Sequence, residues 1–520
     1  MTTSRAPNRQ LDVLFVEADS AEIAYQDLHK KFSAIETPTW SLLLAQSCRS
    51  KGYGVAIIDQ VAERITDAVV ARKVADLNPR LVVFVVYGQN PNSGTTNMIG
   101  AGRLCASLKL EHPEIKTCFV GSHTSALPRE VLSLPFVDFV LLNEGVYALH
   151  NLLATNLNDK ISAVKGLGHK SGGQLVLNEP QAVVPQERMD QDLPGYAWDL
   201  LPYDKKPLDL YRAHFWHAEF SHEKRTPFAA IYTSLGCRFA CDFCMINIVN
   251  RVDNADGIVS ANSRNMRYWS PDFITKEFEK LAGYGVESIR ISDEMFFLDK
   301  RYYEPLCRNI IDRELKFRMW SYSRVDTVRK EFLELFRKAG IGWLALGVEA
   351  GNQTVRKEVS KGSFKDVNIR EVIREVRDQG LNVISNYIFG FPDDNLETMQ
   401  QTLDLALELC TEMVNMYPCQ ALPGSPLYNI ARQMDWKLPD KPEGFAFLSY
   451  ESLPLPTKHV SAAEVLRFRD HAWQTYFRHP PFLDLVEKKF GAQERKNVEA
   501  MATIKLKRKI LEKAGATRRK

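Results

Sequence analysis

The chain has 520 residues, 45% hydrophobic and 25% charged, with 67 Lys and Arg against 64 Asp and Glu for a net charge of +3. That is the balance of a folded protein of several domains; it excludes a disordered or fibrous chain and argues against a dedicated nucleic-acid binder. No stretch approaches the ~20 apolar residues that span a bilayer, the opening Met1 to Pro7 has no apolar signal core, and nine cysteines are too few for a disulfide scaffold. A cytoplasmic protein is the expectation.

Residues 1–155 alternate strand and helix signals. Leu11 to Glu17, Val55 to Asp59, Leu81 to Tyr87, Thr117 to Val120 and Val137 to Leu142 read as strands. Thr39 to Lys51, Val69 to Leu77 and Asn97 to Leu110 read as the helices between them. Such a βαβ series predicts an α/β, doubly wound, Rossmann-like parallel sheet, with ligands beyond the carboxyl ends of its strands. The loops there are small and polar: Gln89 to Thr96, Gly121-Ser122-His123-Thr124 and Asn143-Glu144-Gly145. No G-x-G-x-x-G occurs, so a dinucleotide site is weakly supported.

Residues 156–226 read as a linker with short β elements. Ser171 to Gln174 is a hairpin turn, and Asp192 opens a stretch rich in Pro, Trp and Tyr. Residues 227–426 hold a second βα series. Its strands are Ala229 to Thr233, Ser288 to Ser292, Phe317 to Ser323, Trp343 to Glu349, Val383 to Phe389 and Val414 to Ala421. Six units predict a partial (β/α)6 TIM-type barrel with its chemistry at the carboxyl ends. Residues 427–520 turn mostly helical. Their last 34 residues carry 12 Lys and Arg against 4 Asp and Glu, which predicts a solvated basic helix or a contact with an anionic partner. Trp436, Phe445, Phe447, Tyr450 and Trp473 suit either the core of a helical cap or an apolar substrate path.

The most informative feature is Cys237-Arg238-Phe239-Ala240-Cys241-Asp242-Phe243-Cys244, a C-x3-C-x2-C run directly after the first barrel strand. Zinc normally takes four ligands, and no second Cys/His pair follows at finger spacing. Cys241 and Cys244 have redox C-x-x-C spacing, but the third cysteine and the strand–loop context speak against that reading. Three thiolates from one loop suit a [4Fe–4S] cluster with one iron left open.

With Phe243 in the aromatic place, the run resembles the C-x3-C-x-aromatic-C signature of the radical S-adenosylmethionine (radical SAM) superfamily. That resemblance implies that the open iron holds the amino and carboxyl groups of S-adenosylmethionine, and that electron transfer yields a 5′-deoxyadenosyl radical. It implies cofactor contacts at Asp293 and Glu294 for the ammonium, Ser323 and Arg324 for the ribose and carboxylate, Glu349 at the barrel mouth, and Gly390 beside adenine. Cys419 is a candidate hydrogen donor or methyl acceptor, with a buried structural thiol as the alternative. No catalytic residue is singled out.

Ahead of such a barrel, the first domain resembles the cobalamin (B12)-binding domain of the B12-dependent branch, the class B methyltransferase-like enzymes. The likeness rests on Pro38 to Ala45, Gly52-Tyr53, Ile58-Asp59, Gly121 to Thr124 and Asn143-Glu144-Gly145. The histidine-supplying D-x-H-x-x-G motif is absent, so Gln89, Asn90, Ser93, Gly121, His123, Glu144 and Gly145 are the candidate cobalamin contacts.

The reaction implied is methylation of an unactivated carbon, or of phosphorus, in a small-molecule or lipid substrate. An electron donor such as flavodoxin or ferredoxin is implied as partner. Two rival readings follow. One is a radical cyclase, rearrangement or C–C coupling enzyme without methyl transfer. The other is a non-catalytic cobalamin or iron–sulfur sensor.

Overall fold

The computed structural model describes residues 11–88, 91–202, 210–251, 264–359 and 367–517. Fifteen strands lie in it. Those of the first part are β1 (Val13–Glu17), β2 (Val55–Asp59), β3 (Leu81–Val85), β4 (Thr117–Val120), β5 (Phe139–Leu141), β6 (Leu167–Ser171) and β7 (Gln174–Leu177). They form one sheet in the order β2-β1-β3-β4-β5-β6-β7. The first five pair in parallel, as the βαβ pattern predicts, while β6 and β7 pair antiparallel. The hairpin expected within the linker therefore extends the first sheet, which runs on to Leu177.

Val13 and Phe15 of β1 face one core, and Leu14 and Val16 face another. A strand buried on both faces needs apolar residues at every position, which is why β3 reads as a continuous run.

The second part holds β8 (Phe228–Ile231), β9 (Ser234–Cys237), β10 (Asn265–Tyr268), β11 (Ser288–Ile291), β12 (Arg318–Arg324), β13 (Ile341–Glu349), β14 (Asn382–Phe389) and β15 (Met413–Pro418). Six of them form a parallel sheet in the order β15-β14-β13-β12-β11-β8, the partial barrel expected. The other two, β9 and β10, make a separate antiparallel ribbon that carries the first cysteine. Its strands, four residues each, are too short and mixed to stand out in the sequence.

The two parts share a core. The cluster that holds Val13 and Phe15 continues through helix Thr39–Ser50 to Ala229, Ile231 and Ile289 of the second sheet. That helix buries Trp40, Leu42, Leu43 and Leu44. At about 1.5–3 kcal/mol for each fully buried large side chain, this outweighs any single polar contact between the parts. Polar contacts then fix the register: Thr37 Oγ1 donates to Ala230 O (3.1 Å) and accepts from Ala230 N (2.9 Å). The Trp- and Tyr-rich stretch is laid along the same seam, with Tyr196 OH donating to Tyr232 O (2.7 Å) and Trp198 Nε1 to Glu277 Oε2 (2.8 Å).

Past the barrel the chain is helical. Helix Ala462–Phe477 opens with a Ser461/Glu464 capping box and packs over the β14–β15 edge, where Arg469 Nε donates to Met416 O (2.6 Å). Helices Pro480–Phe490, Ala492–Ala502 and Lys509–Thr517 follow. Part of the tail's charge is matched within the fold: Arg495 pairs with Asp484, Glu487 and Glu499, and the buried Arg508 pairs with Asp470 (2.9 Å). Among the described residues no helix is long and apolar enough to cross a membrane.

Candidate functional site

One cavity of about 1010 Å³ lies between the carboxyl ends of the first sheet and the mouth of the barrel. The first five strands of the first sheet and all six of the second are parallel, so both sets point the ends that bind ligands into this single space.

The cysteine loop forms part of its wall. Cys237 ends β9, and its N–H donates to Asn247 Oδ1 (2.8 Å). Leu427 N–H donates to Asp242 O (2.8 Å), which ties the loop to the segment after the barrel. Cys237, Cys241 and Cys244 all line the cavity. Phe239 N–H donates to Cys237 Sγ (3.4 Å) and Ile246 N–H to Cys244 Sγ (3.5 Å).

Burial pushes the Cys237 thiol up to about 12 and the Cys244 thiol well above its ordinary value. Such thiols stay protonated until a metal displaces the protons. Among the described residues no three His, Cys, Asp or Glu side chains converge on a single-ion site. A [4Fe–4S] cube takes one thiolate per iron, so its cysteines need only ring a common space. Three thiolates on one loop are the donor set of such a cluster and one short of the four that structural zinc takes.

Phe243 lines the cavity and packs on Phe391 at 5.6 Å between ring centres. The two acids after β11 diverge. Asp293 accepts from Thr233 N, Thr233 Oγ1 and Ser234 Oγ, each at 2.6 Å, and so braces the start of the cysteine ribbon. Glu294 faces the cavity, and its Oε1 has no partner. Burial pushes its pKa up to about 7, against the pull of Arg290.

Ser323 and Arg324 also reach the cavity. Ser323 Oγ bonds Thr327 Oγ1 (2.6 Å). Arg324 grips Asp326 through Nε (3.0 Å) and Nη2 (2.7 Å), with its guanidinium 3.9 Å above the Phe239 ring. Glu349 lines the cavity at φ 67°, a left-handed conformation that costs a non-glycine residue about 1–3 kcal/mol. Burial pushes its carboxyl up to about 7. Gly347 makes room for that carboxylate, since a Cβ there would stand 2.4 Å from Glu349 Oε1. Gly390 is not part of the lining: a Cβ there would meet the Val465 side chain at 2.4 Å, so the close neighbour is the chain's own C-terminal helix.

On the first-sheet side, Gln89 and Asn90 lie outside the described residues, and Ser93 lines the cavity. Gly121, His123, Glu144 and Gly145 lie off it. His123 is 3% exposed, with Nδ1 bonded to Thr95 Oγ1 (3.0 Å), and burial lowers its pKa to about 4. Glu144 forms a buried ion pair with Arg267 of β10 (2.8 Å).

The sequence reading passes over residues that do form this wall. Glu17 and Asp59 sit side by side at the ends of β1 and β2, and both line the cavity. Burial, with Asp59 adding, pushes Glu17 well up; burial pushes Asp59 up to about 7. Trp40 stacks on Tyr87 at 4.2 Å and leaves its Nε1 buried without a partner. Acids at the carboxyl ends of parallel strands were the available signal. Phe445, Phe447 and Trp473 line the cavity, as does Cys419; Trp436 and Tyr450 do not.

A cavity of this volume is at the upper end of what one drug-sized ligand fills, and its lining includes both the acids at the strand ends and the cysteine loop. The residues present fit a large amide-bearing cofactor on one side and a cluster with a small charged ligand on the other.

Comparison with known proteins agrees. The chain matches the B12 binding domain over residues 27–153 and the radical SAM superfamily over residues 231–406. It is 22% identical over 460 residues to an uncharacterized methyltransferase of Pyrococcus horikoshii, covering 86% of this chain and 89% of that one. It is 25% identical over 422 residues to the anaerobic magnesium-protoporphyrin IX monomethyl ester cyclase of Rubrivivax gelatinosus, covering 79% and 68%. Among solved structures, the radical S-adenosylmethionine methyltransferase TsrM from Kitasatospora setae, with tryptophan and a SAM analogue bound, shares the fold at a TM-score of 0.64 and 15% identity, covering 95% of this chain and 99% of that one. The chain carries a radical SAM domain and a B12-binding domain, and the cofactors these domains imply are a [4Fe–4S] cluster, S-adenosylmethionine and cobalamin.

Proposed function

We propose that this enzyme transfers a methyl group to an unactivated carbon, or to phosphorus, of a small-molecule or lipid substrate. The observation that carries the reading is the single cavity: the strand ends of the B12-binding fold and the cysteine loop open into one space of about 1010 Å³. When bound, the cofactors supply one-electron cleavage of a sulfonium, hydrogen abstraction and a transferable methyl group.

The chain's own part is to hold and align. In this reading Cys237, Cys241 and Cys244 hold the cluster, and Phe243 wedges their loop against Phe391. Glu294, the buried carboxylate without a partner, accepts the methionyl ammonium through a charge-assisted hydrogen bond. Glu349, held in its strained conformation at the end of β13, faces the ribose hydroxyls. Glu17 and Asp59 accept from carboxamide N–H groups of cobalamin, a role that buried, protonatable acids fill without an unpaired charge. Trp216, Tyr417, Phe447 and Trp473 wall the space against water. A flavodoxin or ferredoxin in a reducing cytoplasm supplies the electron.

The test is anaerobic reconstitution with iron, sulfide and hydroxocobalamin, then reduction and incubation with S-adenosylmethionine. Formation of S-adenosylhomocysteine that depends on cobalamin, together with 5′-deoxyadenosine, is the expected result. Failure to retain cobalamin through gel filtration, or no S-adenosylhomocysteine, overturns the methyl-transfer reading. Similarity to a cyclase supports a second reading, radical ring closure, in which 5′-deoxyadenosine forms without S-adenosylhomocysteine. Neither product would leave the sensor reading.

A further inference from the structure

The loop after β3 belongs to the B12-binding domain, yet it touches the cysteine loop 152 residues further along the chain. One side chain makes two of these contacts. Asn92 Oδ1 accepts the N–H of Met245 (3.0 Å), and Asn92 Nδ2 points at Cys244 Sγ (3.6 Å). The first bond fixes the orientation of the carboxamide. With the oxygen committed to a backbone donor, the amide nitrogen is the nearer of the two ends to sulfur, Oδ1 standing 3.8 Å from it. Asn92 also lines the cavity, as do Gly88 and Ser93 of the same loop.

We propose that Asn92 is a positioning residue for the iron–sulfur cluster, donating a hydrogen bond from the B12-binding domain to the Cys244 thiolate. The inference rests on Cys244 being a cluster ligand. A thiolate that accepts N–H donors places less electron density on its iron, and hydrogen bonds to the sulfurs are one of the levers that set the potential of such clusters. Cys244 receives one donor from its own loop, Ile246 N–H (3.5 Å), and the second from the other domain. A carboxamide suits this place because it both accepts and donates, whereas an ionised aspartate accepts from Met245 but has nothing to donate. The first domain thereby takes part in the electron step. The same loop that borders the cobalamin space sets how readily the cluster gives up its electron.

The experiment compares reconstituted wild type with Asn92→Ala and Asn92→Asp, each measured for iron and sulfide per chain, visible spectrum and cluster midpoint potential. Pulsed electron paramagnetic resonance of the reduced cluster reads its nitrogen couplings. The expected result for Asn92→Ala is a full iron complement, a more negative midpoint potential and the loss of one nitrogen coupling. An unchanged potential at full iron content overturns the proposal. Where the alanine variant does not retain iron, Asn92→Asp decides. It keeps the acceptor for Met245, so a purely structural anchor leaves the nitrogen couplings intact, whereas sulfur donation removes one. Wild-type protein that binds no cluster, or a Cys244→Ser variant that binds it unchanged, would instead defeat the assignment of Cys244 as ligand, and iron analysis separates that failure from this one.

Discussion

Two buried glutamates face each other's domains across the interior and do opposite things. Glu144, on the first-sheet side, is locked to Arg267 at 2.8 Å with both side chains almost fully enclosed. Glu294, on the barrel side, is left with an unpartnered oxygen in the cavity. A buried acid with a partner braces a fold; a buried acid without one costs stability that persists only where something else is to be bound. The same contrast runs through both walls. Asp293 spends its carboxylate on hydrogen bonds inside the protein and Glu144 sets its charge against Arg267, while Glu294, Glu349, Glu17 and Asp59 present acids to the shared space.

The most severe way to break the barrel side is to remove a thiolate. Serine at Cys237, Cys241 or Cys244 is expected to abolish both the iron–sulfur absorbance and 5′-deoxyadenosine formation, read by iron analysis and product chromatography. A variant that keeps either would mean the cluster is held elsewhere. The two glutamates then sharpen the comparison directly. Glu144→Gln breaks one half of a buried ion pair and is expected to cost about 3–5 kcal/mol of stability. It should leave S-adenosylmethionine affinity of the folded fraction unchanged. Glu294→Gln is expected to do the reverse, holding stability but weakening S-adenosylmethionine binding roughly 10–100-fold, as the loss of a charge-assisted bond worth about 1.5–3 kcal/mol implies. Denaturation and equilibrium binding on both variants check the pair. If both lose stability and neither loses affinity, the distinction between the two walls fails.

How much of this was legible follows the same division. The cysteine run is readable because cluster chemistry demands thiolates at fixed spacing on one loop, and such a demand overrides packing. The parallel sheets are readable because strands buried on both faces, such as Leu81–Val85, must be apolar throughout. The β9–β10 ribbon was not readable, because four-residue strands such as Asn265–Tyr268 carry polar residues that pair across to the other domain, as Arg267 does with Glu144. Gly390 reads like a site glycine in sequence, yet its small side is required by Val465, some 75 residues later. Asn92 was out of reach for the same reason, since its meaning depends on a loop that only the shared core brings against it.

A smaller effect tests the acids on the first-sheet wall. Asp59 has its ordinary carboxylate pKa when unfolded, and burial raises it to about 7 in the fold. Between those values the folded protein keeps a proton that the unfolded chain has lost. Stability therefore falls as pH rises, by about 1.4 kcal/mol per pH unit, until the folded group itself ionises near 7. Cofactor-free wild type is expected to lose about 2 kcal/mol between pH 5.5 and 7.5 from this group, and Asp59→Asn to be correspondingly flatter. Chemical denaturation at the two pH values is the measurement, and equal slopes for the two proteins would show that Asp59 is ionised and solvated in the fold.

The smallest effect is expected at His123, and it is the most discriminating for the first-sheet side. Its imidazole is held neutral by burial, bonded to Thr95 Oγ1 and turned away from the cavity. His123→Asn should cost only about 1 kcal/mol, the worth of one such hydrogen bond. It should leave the visible and electron paramagnetic resonance spectra of bound cobalamin untouched, because a nitrogen that does not reach the metal cannot split its signal. A nitrogen splitting on cob(II)alamin that is present in wild type and vanishes in the variant would mean that this buried side chain swings out to cobalt. The first-sheet wall would then carry chemistry through a motif residue, as the cysteine wall does, and the contrast between the two would reduce to which of them had been seen with its ligand-binding side chain turned inward.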